Sequence, residues 1–254
     1  MPATRILPSA PPFRNRPALA RHEASAPPPP AVLPQLGVYY DALFRAQGPQ
    51  HWWPGRTRFE VIVGAILTQN TSWTNVQRAI RALQREKLLR PAAIERVSVE
   101  RLAELIRSSG YFRQKARKLK EFVRFLRDNY GGSLNKMFAA PTPMLREQLL
   151  GVHGIGPETA DSILLYAGGH KVFVVDAYTR RILERHGLTH EKASYEEIRE
   201  LFEGSLPTDA ALYNEYHALI VHTGKYFCQK RHPDCEHCPL AIFLPAPAGA
   251  EARA

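Results

Sequence analysis

Leu149-Leu150-Gly151-Val152-His153-Gly154-Ile155-Gly156-Pro157-Glu158-Thr159-Ala160 joins two helical patterns through a Gly-Ile-Gly turn. Glycine at 154 and 156 lets the backbone take φ > 0 and come close to a ligand. Pro157 stands where a fixed φ pre-organises the first residue of a helix. The segment predicts a short hairpin whose bare N–H groups and following helix N-terminus face outward together. That geometry suits one phosphate oxygen and needs no base contact. The same residues would equally make an ordinary connection between packed helices, with Ile155 plugging the core.

Outward from the hairpin the periodicity is helical. Apolar positions spaced by three and four run through Val38–Ala46, Phe59–Thr68, Thr74–Gln84, Val99–Ser108, Arg113–Asn129, Pro143–Leu150, Pro157–Ala167, Ala177–His186, Tyr195–Glu203 and Ala210–Phe227. Turn chemistry separates them: Gly110, Gly131-Gly132, Pro141-Thr142-Pro143, Gly168-Gly169, Gly187 and Pro207. One β-like run, Val172-Phe173-Val174-Val175, has no partner strand. The expected fold is all-α.

The chain has 254 residues, 44% of them hydrophobic, enough for a sizeable core in one large domain or two small ones. No uncharged apolar run approaches the ~18 residues of a membrane span, which excludes a helical membrane protein. Lys plus Arg number 34 against 24 Asp plus Glu, a formal charge of +10 that points to an anionic partner, nucleic acid first. Residues 1–33 carry nine of the 21 prolines and a net +3, and are expected to be a disordered basic tail, with an organelle transit peptide as the alternative. Residues 245–254 read as a second tail. About +7 therefore belongs to the folded part, and a cytoplasmic protein is expected. Cys228, Cys235 and Cys238 are the only cysteines; three within eleven residues read as a metal or cluster site rather than disulfides.

After the hairpin come Val174-Val175-Asp176-Ala177-Tyr178, an apolar run ending in a carboxylate that opens a helix. This order resembles the HhH-GPD superfamily of DNA glycosylases, and within it the endonuclease III branch. Phe59–Trp73 resembles that branch's first barrel helix and DNA-entering loop, and the cysteines resemble its iron–sulfur loop. Together the matches span roughly residues 36–244. The resemblance implies two helical lobes flanking a DNA-binding cleft: a six-helix barrel over residues 57–170, and a second lobe of residues 34–56 plus 171–244 bearing the cysteines. It also implies a monomer acting on double-stranded DNA that contains a damaged base.

On its own Asp176 reads as an N-cap, and the resemblance makes it also the catalytic aspartate. A carboxylate near C1′ stabilises an oxocarbenium-like sugar and steers an attacking water. Bifunctional members carry a lysine two residues after the second hairpin glycine, where this chain has Glu158. A carboxylate cannot form an imine, so a monofunctional enzyme using water is expected. The chain is most similar to a lysine-lacking subfamily that excises alkylated purines such as 3-methyladenine. Other specificities (oxidised pyrimidines, uracil, mismatched thymine) and a catalytically weak DNA-binding protein are the alternatives. Trp52, Trp53, Trp73 and Tyr178 are expected at a pocket for a cationic base, although aromatics at helical spacing also serve as core. Gln69 and Asn70 are expected to fill the gap left by a flipped nucleotide. Gly154, Ile155, Gly156, Thr159, Arg113, Lys115 and Lys230 are the expected DNA contacts. The cysteines follow C-x6-C-x2-C, and the family's fourth cysteine falls on Leu244. Three thiolates can hold a [4Fe-4S] cluster with another ligand on the fourth iron. His232 and His237 would equally allow zinc.

Overall fold

The computed structural model describes residues 33–53 and 55–245. The expectations for tails over residues 1–32 and 246–254 lie outside the described residues. Among those described there are α-helices, a π turn and two 3-10 turns, and no strand. No described helix is long and apolar enough to cross a membrane.

The helices are α1 (Leu33–Gln47), α2 (Arg58–Leu67), α3 (Trp73–Arg85), α4 (Pro91–Arg96), α5 (Val99–Leu105), α6 (Phe112–Tyr130), α7 (Leu134–Phe138), α8 (Thr142–Leu150), α9 (Pro157–Ser162), α10 (Ala177–Arg185), α11 (Tyr195–Ser205) and α12 (Ala210–Tyr226). Among the described residues between 57 and 170 lie eight α-helices where six were expected. The additional pair, α4 and α7, are too short to show a period. α2 is buried from Phe59 to Leu67, which its all-round apolar sequence dictates, and it packs on α3, α6 and α9. α1, α10, α11 and α12 form a second group of mutual contacts.

Caps set the boundaries that matter for the site. Thr57 caps α2, Ser194 and Glu197 form a capping box on α11, and Asp209 caps α12. α9 widens after Ser162 into a π turn, Ile163–Gly168, a distortion often found at functional sites. The run 172–175 is extended and buried, and lacking a partner strand it draws hydrogen bonds from α11 side chains. Phe173 N–H donates to Glu203 at 2.9 Å and Val175 N–H to the Tyr195 hydroxyl at 3.3 Å. Behind it, Arg146 of α8 grips the fully buried Asp161 of α9 through two bonds, 2.7 and 3.0 Å, and also holds Glu196 of α11. The helix following the hairpin is thereby fixed against the one supporting the run to Asp176.

Candidate active site

The hairpin folds as a tight turn between α8 and α9. Ile155 N–H donates to Val152 O at 3.0 Å, and the Ile155 side chain is buried. Ile155 is thus the core plug, and its N–H is spent within the turn. Gly154 sits at φ +86°, and a Cβ there would lie 2.5 Å from the Lys118 side chain, so both backbone and space require glycine. Gly156 departs from expectation: at φ −95° it is extended and needs no left-handed freedom. Among the described residues the N–H groups of Gly154 and Gly156 have no hydrogen-bond acceptor.

Gln69 closes the hairpin from the α2 side. Its amide donates to Gly154 O (3.2 Å) and Thr159 Oγ1 (2.9 Å), and Lys118 donates to its Oε1. Thr159 is buried beneath this contact, so its hydroxyl braces Gln69 instead of facing outward. Asn70, next along, is exposed at φ +53°.

Asp176 caps α10. Its Oδ1 accepts from Thr179 N–H at 2.8 Å and from Thr179 Oγ1 at 2.9 Å. Together with Glu158, Val175, Arg181, Glu184 and Lys230, it lines an open cleft of about 530 Å³. Glu158 is open to solvent at the cleft mouth yet crowded by protein atoms. That burial, and secondarily the Asp176 charge, push its carboxyl up to about 7. One cleft therefore presents a carboxylate pinned by two donors and a second carboxyl poised between charged and neutral.

An aromatic wall stands outside the residues lining that cleft. Trp53 stacks on Tyr166 at 4.9 Å between centroids and meets Trp73 edge-on at 5.0 Å and Trp52 at 5.5 Å. Gly64 of α2 makes room for it, since a Cβ there would touch Trp53 at 3.2 Å and Trp73 at 3.4 Å. Tyr178 does not join: its ring packs on Gly224 under the Arg181 guanidinium, 5.1 Å from the ring centre. Two groups absent from the sequence-based site complete it. The Tyr166 hydroxyl is 2.5 Å from His217 Nδ1, and His217 Nε2 is 3.6 Å from Asp176 Oδ2. Burial, reinforced by the Asp176 charge, holds the Tyr166 phenol well above its ordinary value.

Of the expected cations, Arg113 and Lys230 are exposed and Lys115 is not. Lys115 is 2% exposed and donates to Leu67 O (2.9 Å) and Ser109 O (2.6 Å), tying the end of α2 to the turn before α6. Burial first, and Lys118 second, bring its ammonium down to about 8. It is a buried tie and offers nothing to a phosphate.

Cys228, Cys235 and Cys238 line one small cavity together with Leu244, which holds the place of the fourth cysteine. Arg185 donates to Cys228 Sγ at 3.1 Å. Among the described residues no three His, Cys, Asp or Glu side chains gather closely enough for a single ion, and His237 is tied to Asp234 at 2.8 Å. The donor set thus lacks the focus that zinc needs, whereas a four-iron cube holds its thiolates further apart. The three thiols share one cavity, and Leu244 offers no fourth thiolate.

Fold and site together define a helix-hairpin-helix protein with a carboxylate-lined cleft. Residues 63–208 match the HhH-GPD superfamily of base excision DNA repair proteins, and the chain belongs to that superfamily. A Methanocaldococcus jannaschii protein provisionally assigned as a DNA repair glycosylase is 50% identical over 80% of this chain and 93% of its own length. Endonuclease III of Thermotoga maritima is 31% identical over 72% of this chain and 80% of its own. Among solved structures, a non-covalent endonuclease III–DNA complex has a TM-score of 0.72 at 25% identity, covering 84% of this chain and 94% of that one. The 3-methyladenine DNA glycosylase of Helicobacter pylori, bound to 1,N6-ethenoadenine, has a TM-score of 0.63 at 30% identity, covering 75% and 94%.

Proposed function

We propose that this protein is a monofunctional DNA glycosylase that releases alkylated purines, of the 3-methyladenine kind, from double-stranded DNA. One observation carries the reading: the cleft pairs the pinned Asp176 with Glu158 at the position where a lyase lysine would stand. A cationic base is already a good leaving group, so one carboxylate that steadies the oxocarbenium-like sugar and directs water is enough. The aromatic wall of Trp53, Trp73 and Tyr166 supplies electron-rich faces to the same cationic base.

The residues around the cleft take their roles from placement. Gly154 and Gly156 N–H groups meet a phosphate, with Arg113 and Lys230 adding charge. Gln69, braced on the hairpin, and the exposed Asn70 occupy the gap left when the nucleotide leaves the stack. Residues 57–170 form one lobe, residues 34–56 plus 171–244 the other, and DNA lies between them on a monomer. Cys228, Cys235 and Cys238 would hold a [4Fe-4S] cluster with a non-cysteine group on its fourth iron. When bound it would supply rigidity to the loop bearing Lys230 and Arg231, and no chemistry to the sugar. Iron and sulfide in a stoichiometry near four per chain would support this, and zinc alone would reject it.

A second reading follows from Lys230, the amine that lines the same cleft as Asp176. Should it reach C1′, the protein would be a glycosylase with lyase activity. Methylated duplex DNA separates the readings. Free base released by wild type and not by Asp176→Asn, with abasic strands left intact, supports the first. A borohydride-trapped adduct on Lys230 establishes the second.

A further inference from the structure

The two oxygens of Asp176 are unequal. Oδ1 is occupied by both donors of Thr179, while Oδ2 has no hydrogen bond among the described residues and faces His217 Nε2 across 3.6 Å. His217 itself is buried, 5% exposed, on α12. Its Nδ1 is engaged by the Tyr166 hydroxyl at 2.5 Å, and its Nε2 is a buried nitrogen with no hydrogen-bond partner. A buried polar atom without a partner, aimed at the free oxygen of a carboxylate, calls for an explanation.

Tautomer logic supplies one. A neutral imidazole has one donor nitrogen and one acceptor nitrogen. Burial lowers the His217 pKa, with Asp176 opposing, which favours the neutral ring. If Nδ1 carried the proton, the bare Nε2 lone pair would confront the carboxylate lone pairs. If Tyr166 donates to Nδ1, Nε2 carries the proton and points it at Oδ2. The second arrangement pairs Nδ1 and aims the Nε2 proton at Oδ2, and the phenol, which keeps its proton, is able to donate.

We propose that His217, fixed by Tyr166 as the Nε2–H tautomer, is a positioning residue that holds the free oxygen of Asp176 toward the sugar and the attacking water. This rests on the reading that Asp176 supports base release. The 3.6 Å gap closes to a hydrogen bond by a shift of a few tenths of an ångström, which ligand entry into the cleft supplies. Because Tyr166 also stacks on Trp53, a base seated on the aromatic wall touches the same chain of groups that sets the carboxylate. Recognition of the base and alignment of Asp176 are thereby linked through one phenol. The other ionisable groups facing Asp176 are Glu158 from α9 and Arg180, Arg181, Glu184, Tyr195 and Lys230 around the cleft. None of them donates to Oδ2 among the described residues.

The test has an arm that needs no activity. Nitrogen-15 NMR of histidine-labelled protein distinguishes protonated from bare ring nitrogens. His217, identified by loss of its signals in His217→Gln, should show a protonated Nε2 and a bare Nδ1 across neutral pH. Tyr166→Phe should scramble that preference. The second arm is single-turnover release of 3-methyladenine from methylated duplex. His217→Leu should slow release about tenfold to a hundredfold at unchanged duplex half-saturation, the loss expected for one hydrogen bond to a charged group. His217→Gln, which keeps an N–H at similar reach, should recover most of it, and Tyr166→Phe should fall between.

A protonated Nδ1, or equal rates in wild type, His217→Leu and Tyr166→Phe, overturns the proposal. So does a His217→Gln protein as slow as His217→Leu. Should His217→Leu fail to fold, Tyr166→Phe, lacking one oxygen, decides by the same two readouts. If wild type releases no methylated base, the glycosylase reading fails, and the NMR arm still reports separately on the tautomer.

Discussion

Asp176 and Glu158 are carboxyl groups lining the same cleft from different helix starts, and their surroundings differ in kind. Asp176 precedes α10, has both Thr179 donors on one oxygen and a histidine facing the other. Glu158 lies in the first turn of α9 with no side-chain partner among the described residues, and it is pushed up to about 7 by burial and by its neighbour's charge. A group held by fixed donors costs nothing to reorganise when positive charge develops beside it. A group with no partners changes its proton occupancy instead. The proposed reaction uses that difference, with Asp176 as the charge stabiliser and Glu158 setting the electrostatic background.

Four experiments press on that contrast. The largest effect is expected from Asp176→Asn, which keeps the shape and removes the charge: base release should drop by about 10²–10⁴-fold with duplex binding intact. Equal loss of release from Glu158→Gln would erase the distinction. Next, Glu158→Lys places an amine where the family's lyases have one, and borohydride should then trap a covalent DNA adduct absent from wild type. Thr179→Ala takes one donor from Oδ1 and leaves the backbone donor, so release should fall about tenfold. The smallest effect belongs to Glu158→Gln. In wild type, Glu158 gains charge as pH rises through about 7, so release should increase across that range, and the variant should lack the step.

Stability has the opposite sign for Glu158. Its folded pKa is raised above the ordinary 4.5, so the folded state holds a proton that the unfolded chain loses. Wild type should therefore lose a little stability between pH about 4.5 and 7, a slope that Glu158→Gln removes. Solvent at the cleft mouth keeps the slope shallow. Melting temperatures of the two proteins against pH read it directly.

The long helices, the hairpin and the cap at Asp176 were legible because each writes a local rule into the chain: apolar spacing, Pro after Gly, Asp before a helix. α4 and α7 were not, being too short for a period. Lys115 was expected to contact DNA and is buried instead. Its spacing from Leu119, Phe122 and Leu126, all buried on α6, was the available signal that it shares their side. Tyr178 was expected at the pocket for a cationic base, yet two residues along a helix from Asp176 turn a side chain to nearly the opposite face, and it packs on Gly224 instead. Tyr166 and His217 lie 51 positions apart, and each looks like core in its own helix. Their pairing with Asp176 is a tertiary fact that no local pattern records.

The central claim is that the cleft hydrolyses a glycosidic bond with Asp176 and leaves the DNA strand unbroken. One assay tests it most directly: wild-type protein with methylated duplex, quenched with borohydride, scored for free base, strand breaks and trapped protein. The expected result is released 3-methyladenine in proportion to alkali-labile but otherwise intact strands, with no trapped protein. Breaks without alkali, together with an adduct on Lys230, would contradict it.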